Sequence, residues 1–121
     1  METITLNGVE YVKKSDVGNL ICPTNTDGLK YQIVRAHSVG VFAGYVESKK
    51  EQEVVMLNAR RLWYWDGAAS LSQLAMEGTS KPENCKFPCP VSKIELLNVI
   101  EILDVTEKAK QSIEGVALWQ K

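Results

Sequence analysis

Val39-Gly-Val-Phe-Ala-Gly-Tyr-Val46 is the stretch on which the fold turns. β-Branched and aromatic residues fill it, so it reads as a strand. Gly40 and Gly44 fall on one side of that strand, on the same side as Phe42 between them. Glycine inside a strand marks a sharp bend or a close approach of two backbones, as at the corner of a small barrel. A bent strand of this kind predicts a curved sheet.

Working outward, the flanking residues supply the rest of that sheet. Before it, Tyr31 and Ile33 alternate with Gln32 and Val34 in a strand beginning at Leu29. After it, residues 47–53 form a charged turn, and Val54–Leu57 returns as a buried strand. Arg60–Trp65 then continues the sheet, with Arg61, Trp63 and Trp65 on one side and Leu62 and Tyr64 on the other. The period changes at Asp66. Ala68, Leu71, Leu74 and Ala75 share a helical stripe between an Asp66 N-cap and a Gly78 stop. Residues 79–90 hold Pro82, Pro88 and Pro90, and so predict an extended, irregular connection. Residues 91–103 read as a long strand or a strand pair. Asp104-Val-Thr-Glu107 opens a second helix running to Glu114, and Val116–Trp119 closes the chain as a short strand.

At the other end, Asn7-Gly8 joins Ile4–Leu6 to Val9–Val12 in a hairpin arm over residues 1–17. Two short strands are marginal alone, which predicts that the arm lies on the main domain or on another chain. Residues 18–28 form a turn-rich linker, and residues 29–121 form the main domain. The expected fold class is therefore α+β: a curved antiparallel sheet or partly open barrel, with two short helices and an N-terminal hairpin.

Composition narrows the function classes. The 121 residues are 45% hydrophobic and 24% charged, as in a globular chain. The net charge of -1 argues against general nucleic-acid binding, which relies on phosphate neutralisation by a basic surface. The apolar runs are too short to span a bilayer, and no secretory signal pattern is visible at the start, so no membrane contact is expected. Three cysteines, Cys22, Cys85 and Cys89, fit free thiols in a reducing compartment.

Little in the chain suggests catalysis. His37 is the sole histidine, and its neighbour Ser38 is adjacent rather than opposed across a site. The four-residue step from Cys85 to Cys89 would need Cys22 from across the linker to approach a zinc site. Gly78-Thr-Ser-Lys81 lacks the glycine spacing of a phosphate loop and reads as a polar turn. The expectation is a binding protein rather than an enzyme, with no cofactor and no metal.

The contact candidates come from Asn58-Ala-Arg-Arg-Leu-Trp-Tyr-Trp-Asp66. Arg60, Arg61, Trp63, Tyr64 and Trp65 set two guanidinium groups beside three rings, which could stack a base and pair a phosphate. The same residues also suit core packing or a subunit interface, where large aromatics and arginine are enriched. Tyr11 and Trp119 are the candidates for contacts between subunits. The chain has three tryptophans and four tyrosines, more than a core of this size needs, so a homo-oligomer is expected.

The motifs around Val34–Tyr45, Asn58–Ala75 and Gly78–Pro82, with Leu6–Val12 in the arm, resemble a family of small uncharacterised proteins of bacteriophages and prophages. That resemblance implies a phage origin and carries no known activity with it. The expected role is that of a phage accessory protein in the host cytoplasm, binding a host protein or a nucleotide signal, with counter-defence among its uses. A virion component is the alternative. Residues 39–59 are also similar to the bent strands of Sm-like or SH3-like barrels, which implies a nucleic-acid-binding ring as a further reading. The chain departs from that pattern in lacking the asparagine ahead of the apolar strand and in interposing a helix and a proline-rich loop.

Overall fold

The computed structural model describes residues 22–120, so the arm at 1–17, Tyr11 within it and the first part of the linker lie outside the described residues. Five strands form one antiparallel sheet: β1 (Tyr31–Ala36), β2 (Gly40–Lys50), β3 (Glu53–Arg61), β4 (Val91–Leu96) and β5 (Val99–Asp104). Among the described residues two helices accompany them, α1 (Leu71–Glu77) and α2 (Glu107–Gly115). The chain is α+β with a curved, open sheet. No described helix is long and apolar enough to cross a membrane.

The strand order β4-β3-β2-β1-β5 explains the curvature. β4 and β5 lie at opposite ends of the sheet, yet only Leu97 and Asn98 connect them. A flat sheet would separate its outer strands by roughly 19 Å, more than the roughly 11 Å that such a connection reaches. The sheet must therefore curl until its outer strands approach one another. Two hydrogen bonds hold the connection in place, from the Val99 amide to the Gln52 carbonyl (2.9 Å) and from the His37 amide to the Asn98 carbonyl (3.0 Å).

Gly44 is where the bend is made. Tyr45 pairs with Leu57 and Ala43 with Arg60, so Gly44 stands opposite two residues, Asn58 and Ala59. This is a β-bulge, and Asn58 completes it by taking a positive φ of 54°. The two backbones come so close that a methyl group on Gly44 would sit 2.8 Å from the Ala59 Cα. Gly40 serves differently, through a φ of 124° at the start of β2.

Each face of the sheet has its own core. Val34, Phe42, Val54, Met56, Leu96 and Val99 fill the side enclosed by the strands. Tyr31, Ile33, Ala43, Leu74, Phe87 and Ile113 pack between the sheet and the helices. Period-two alternation produces this division, since Ile33 and Val34 are adjacent and both fully buried, on opposite faces.

Several boundaries differ from the sequence reading. The charged turn shrinks to Glu51 and Gln52, because β2 and β3 run on as a paired ribbon through Lys49–Val54 and Lys50–Glu53. β3 stops at Arg61 instead of reaching Trp65. Helix α1 is capped by Ser70, whose Oγ accepts from the Gln73 amide (3.1 Å). Asp66 instead accepts from the Gly67 amide (2.8 Å) and the Asn84 side chain (2.9 Å), which hold its carboxyl below the usual range. The short strand at the end of the chain is a single bridge between Leu118 and Phe87.

Thr106 joins the two helices. Its Oγ1 accepts from the Ala109 amide (3.1 Å) as the α2 N-cap and donates to the Met76 carbonyl at the end of α1 (2.8 Å). Thr106→Val keeps the shape and loses both bonds, so a cost of about 2 kcal/mol is expected. A lower denaturant midpoint at unchanged slope would show it.

Candidate interaction surface

The candidate residues follow the bulge at Asn58, and the end of β3 sends them in different directions. Successive strand residues face opposite sides, so Arg60, paired with Ala43, points toward the helices, and Arg61, paired with Phe42, toward the other core. Arg60 is 5% exposed. Its Nε donates to the Pro88 carbonyl (2.9 Å) and its Nη1 to Ile113 (2.9 Å), while Nη2 serves Phe87 (2.9 Å), Val116 (2.7 Å) and Ala117 (3.2 Å). One side chain thus ties β3 to the proline-rich connection and to the carbonyl-rich end of α2, where helix polarity favours a cation. Arg61 lies 4.4 Å above the Phe42 ring and donates to the Val39 carbonyl (2.7 Å). Both guanidinium groups are engaged within the chain.

The three rings separate as well. Trp65 is half-buried against the helix-side core, whereas Trp63 is 63% exposed and Tyr64 51% exposed. Beyond β3, Tyr64 and Lys86 exchange backbone hydrogen bonds (2.8 and 3.3 Å), and the Trp119 amide donates to the Phe87 carbonyl (3.0 Å). Three segments distant in sequence are thereby stitched side by side. The Lys86 ammonium sits 5.9 Å from the Tyr64 ring centre and 5.6 Å from that of Trp119, within cation–π range of both. Trp119 is 46% exposed and Leu118 50%. Tyr64 and Trp119, expected to serve separate contacts, therefore flank one cation. Lys86 was missed at the level of sequence. Its signal was Lys-Phe-Pro between prolines, an extended segment that buries Phe87 and turns its neighbour outward.

The other candidate groups are engaged locally. Thr79 Oγ1 donates to the Asp66 carbonyl, Ser80 Oγ to that of Gly67 (3.2 Å), and the Lys81 amide to Thr79 Oγ1 (3.0 Å), as in a polar turn. The Cys22 thiol donates to the Tyr31 carbonyl (2.9 Å), and burial raises its pKa; Cys89 is exposed.

A family model described as a domain of unknown function (DUF6948) matches residues 29–113. The chain belongs to the DUF6948 family. No curated protein and no solved structure matches it. The DUF6948 match takes in all five strands, both bulge partners and the Arg60–Trp65 segment. It stops at the last turn of α2, so Leu118 and Trp119 lie beyond it. In this DUF6948 chain the exposed surface thus combines Tyr64 and Lys86, within the matched region, with a tail residue outside it.

Proposed function

We propose that this DUF6948 protein works by binding, as a bacteriophage accessory protein acting on a host protein in the host cytoplasm. The observation that carries the reading is the exposed aromatic pair around Lys86, with Trp63 next in the chain to Tyr64. A single exposed apolar residue needs no explanation, but neighbouring large rings held in register beside a cation have the chemistry of an interface anchor. The phage origin rests on the resemblance of the Val34–Tyr45 and Asn58–Ala75 motifs, and counter-defence is one use that binding a host protein would serve.

The test pairs binding with folding. Trp63→Ala/Tyr64→Ala is expected to leave the melting temperature within about 3 °C, because exposed positions contribute little to stability. It should weaken association with the host partner by about thirtyfold or more, the effect of losing an interface anchor. Native mass spectrometry of the protein expressed in a bacterial host reads this directly. A double variant that keeps its partner at wild-type occupancy would remove the assignment.

A second reading has its own observation. Among the described residues β4 and β5 are the outer strands, each with one unpaired edge, and Val91, Leu97 and Ile100 are exposed along or beside them. Edges of this kind can pair between copies. They support the expected homo-oligomer and, as a ring, the nucleic-acid-binding alternative, in which Lys86 and its two rings would take the place expected of Arg60 and Arg61. Steeply salt-dependent oligonucleotide binding by an assembly of several copies would favour that alternative.

A further inference from the structure

A separate cleft of about 400 Å³ opens between β3 and the end of α2, lined by Tyr31 and Arg60 below, Glu114 at the rim, and Pro90, Val116 and Leu118 as apolar walls. Two of its polar groups are buried yet incompletely bonded. Tyr31 is 2% exposed, and its hydroxyl has no hydrogen-bond partner among the described residues. A guanidinium carries five N–H groups, and one on the Arg60 Nη1 remains after its carbonyl partners are counted. Buried donors are normally satisfied, and an exception calls for an acceptor. Arg60 also has no carboxylate within ion-pair distance among the described residues; its charge is offset by carbonyl dipoles, by the Phe87 ring and, at longer range, by Glu114.

We propose that this cleft binds a small monocarboxylate with a compact apolar body, the carboxylate accepting from the Tyr31 hydroxyl and the free Arg60 N–H. Burial pushes the Tyr31 phenol well above its ordinary pKa, so it is a proton donor at neutral pH. The volume falls at the small end of ligand sites, where an apolar wall with a few convergent polar groups is the usual arrangement. Glu114 selects for charge. It is paired with Lys110 at 3.2 Å, and its charge already acts on both Arg60 and Tyr31, which disfavours a dianion such as phosphate more than a monoanion.

The site is independent of the aromatic surface, and its test uses the full chain titrated with benzoate while backbone amide shifts are followed by NMR. Saturable shifts are expected at residues around Tyr31, Arg60 and Val116, with benzamide and inorganic phosphate at least tenfold weaker. Tyr31→Phe removes only the unpaired hydroxyl, so it should fold as well as wild type and bind benzoate about tenfold to hundredfold more weakly. Glu114→Gln, which removes the rim charge, should bind it severalfold more tightly. Absence of saturable shifts, equal affinity for benzamide, or undiminished binding by Tyr31→Phe would each overturn the proposal.

Discussion

Arg60→Ala is expected to leave the chain largely unfolded at 37 °C, or to lower its melting temperature by about 15–30 °C, in a thermal scan followed by circular dichroism. The substitution strips partners from five backbone carbonyls, those of Phe87, Pro88, Ile113, Val116 and Ala117. Each buried acceptor left unpaired costs about 1–3 kcal/mol, reduced where water can enter the space the side chain leaves. The Phe87 and Ile113 carbonyls still accept from the Trp119 and Val116 amides, so three are left without a donor. With the packing of the side chain also lost, a loss of about 3–5 kcal/mol is a large share of the roughly 5–15 kcal/mol that holds a domain together. For a domain of this size each kcal/mol moves the transition by about 4–8 °C. The contact between Arg60 and the Phe87 ring, 5.5 Å away, is lost as well. Arg61→Ala is the internal control. That side chain makes one hydrogen bond and rests on Phe42 from a half-buried position, so about 1 kcal/mol is expected. Equal effects of the two substitutions would contradict this account of the site.

Gly44→Ala is expected to destabilise the fold by about 2–4 kcal/mol, toward the upper end of overpacking effects, because the added methyl meets backbone on every side. The new Cβ would lie 2.8 Å from the Ala59 Cα, 3.0 Å from the Leu57 carbonyl oxygen and 3.1 Å from that of Asn58. None of these atoms can rotate away. Relief requires β2 and β3 to separate at the bulge, which also loosens the curl that brings β4 toward β5. Denaturant unfolding measures the loss, and a midpoint within error of wild type would refute the tight-approach reading. The neighbouring glycine makes a useful contrast. A methyl on Gly40 would meet only the flexible Arg61 Nη1 at 3.6 Å, and the penalty there comes from its φ of 124°. A φ of 124° lies beyond the left-handed α region that Asn tolerates, so Gly40→Ala and Gly40→Asn should both lose stability through the backbone alone, without the steric clash that governs position 44.

The contrast between Arg60 and Arg61 also marks how far the sequence could be read. Local signals were reliable for the elements themselves. The β-branched run at Val39–Val46 and the interior glycines each act through the residue's own backbone or its immediate neighbours, so they are visible in a short window. Boundaries were less so. The second helix is capped by Thr106 and not by Asp104, which ends β5. Ser70 displaced Asp66 as a cap because Asn84, eighteen positions further on, engages the Asp66 carboxylate. β3 ended at Arg61 because Tyr64 found its partner in Lys86 rather than in β2 or β4.

Taken alone, the amino-acid order determined the class of the fold, the place where the sheet bends and the existence of two capped helices, because dihedral preference and hydrophobic period are local properties. It left undecided which arginine would be buried and which rings exposed. Burial is a sum over neighbours that the curled sheet collects from distant segments: Phe87 and Pro88 from the proline-rich connection, Val116 and Ala117 from the tail. Only the tertiary structure brought Lys86 between Tyr64 and Trp119 and set Tyr31 in the lining of a cleft. Those arrangements bring together residues more than twenty positions apart, such as Lys86 with Trp119, for which no short stretch of sequence carries a signal.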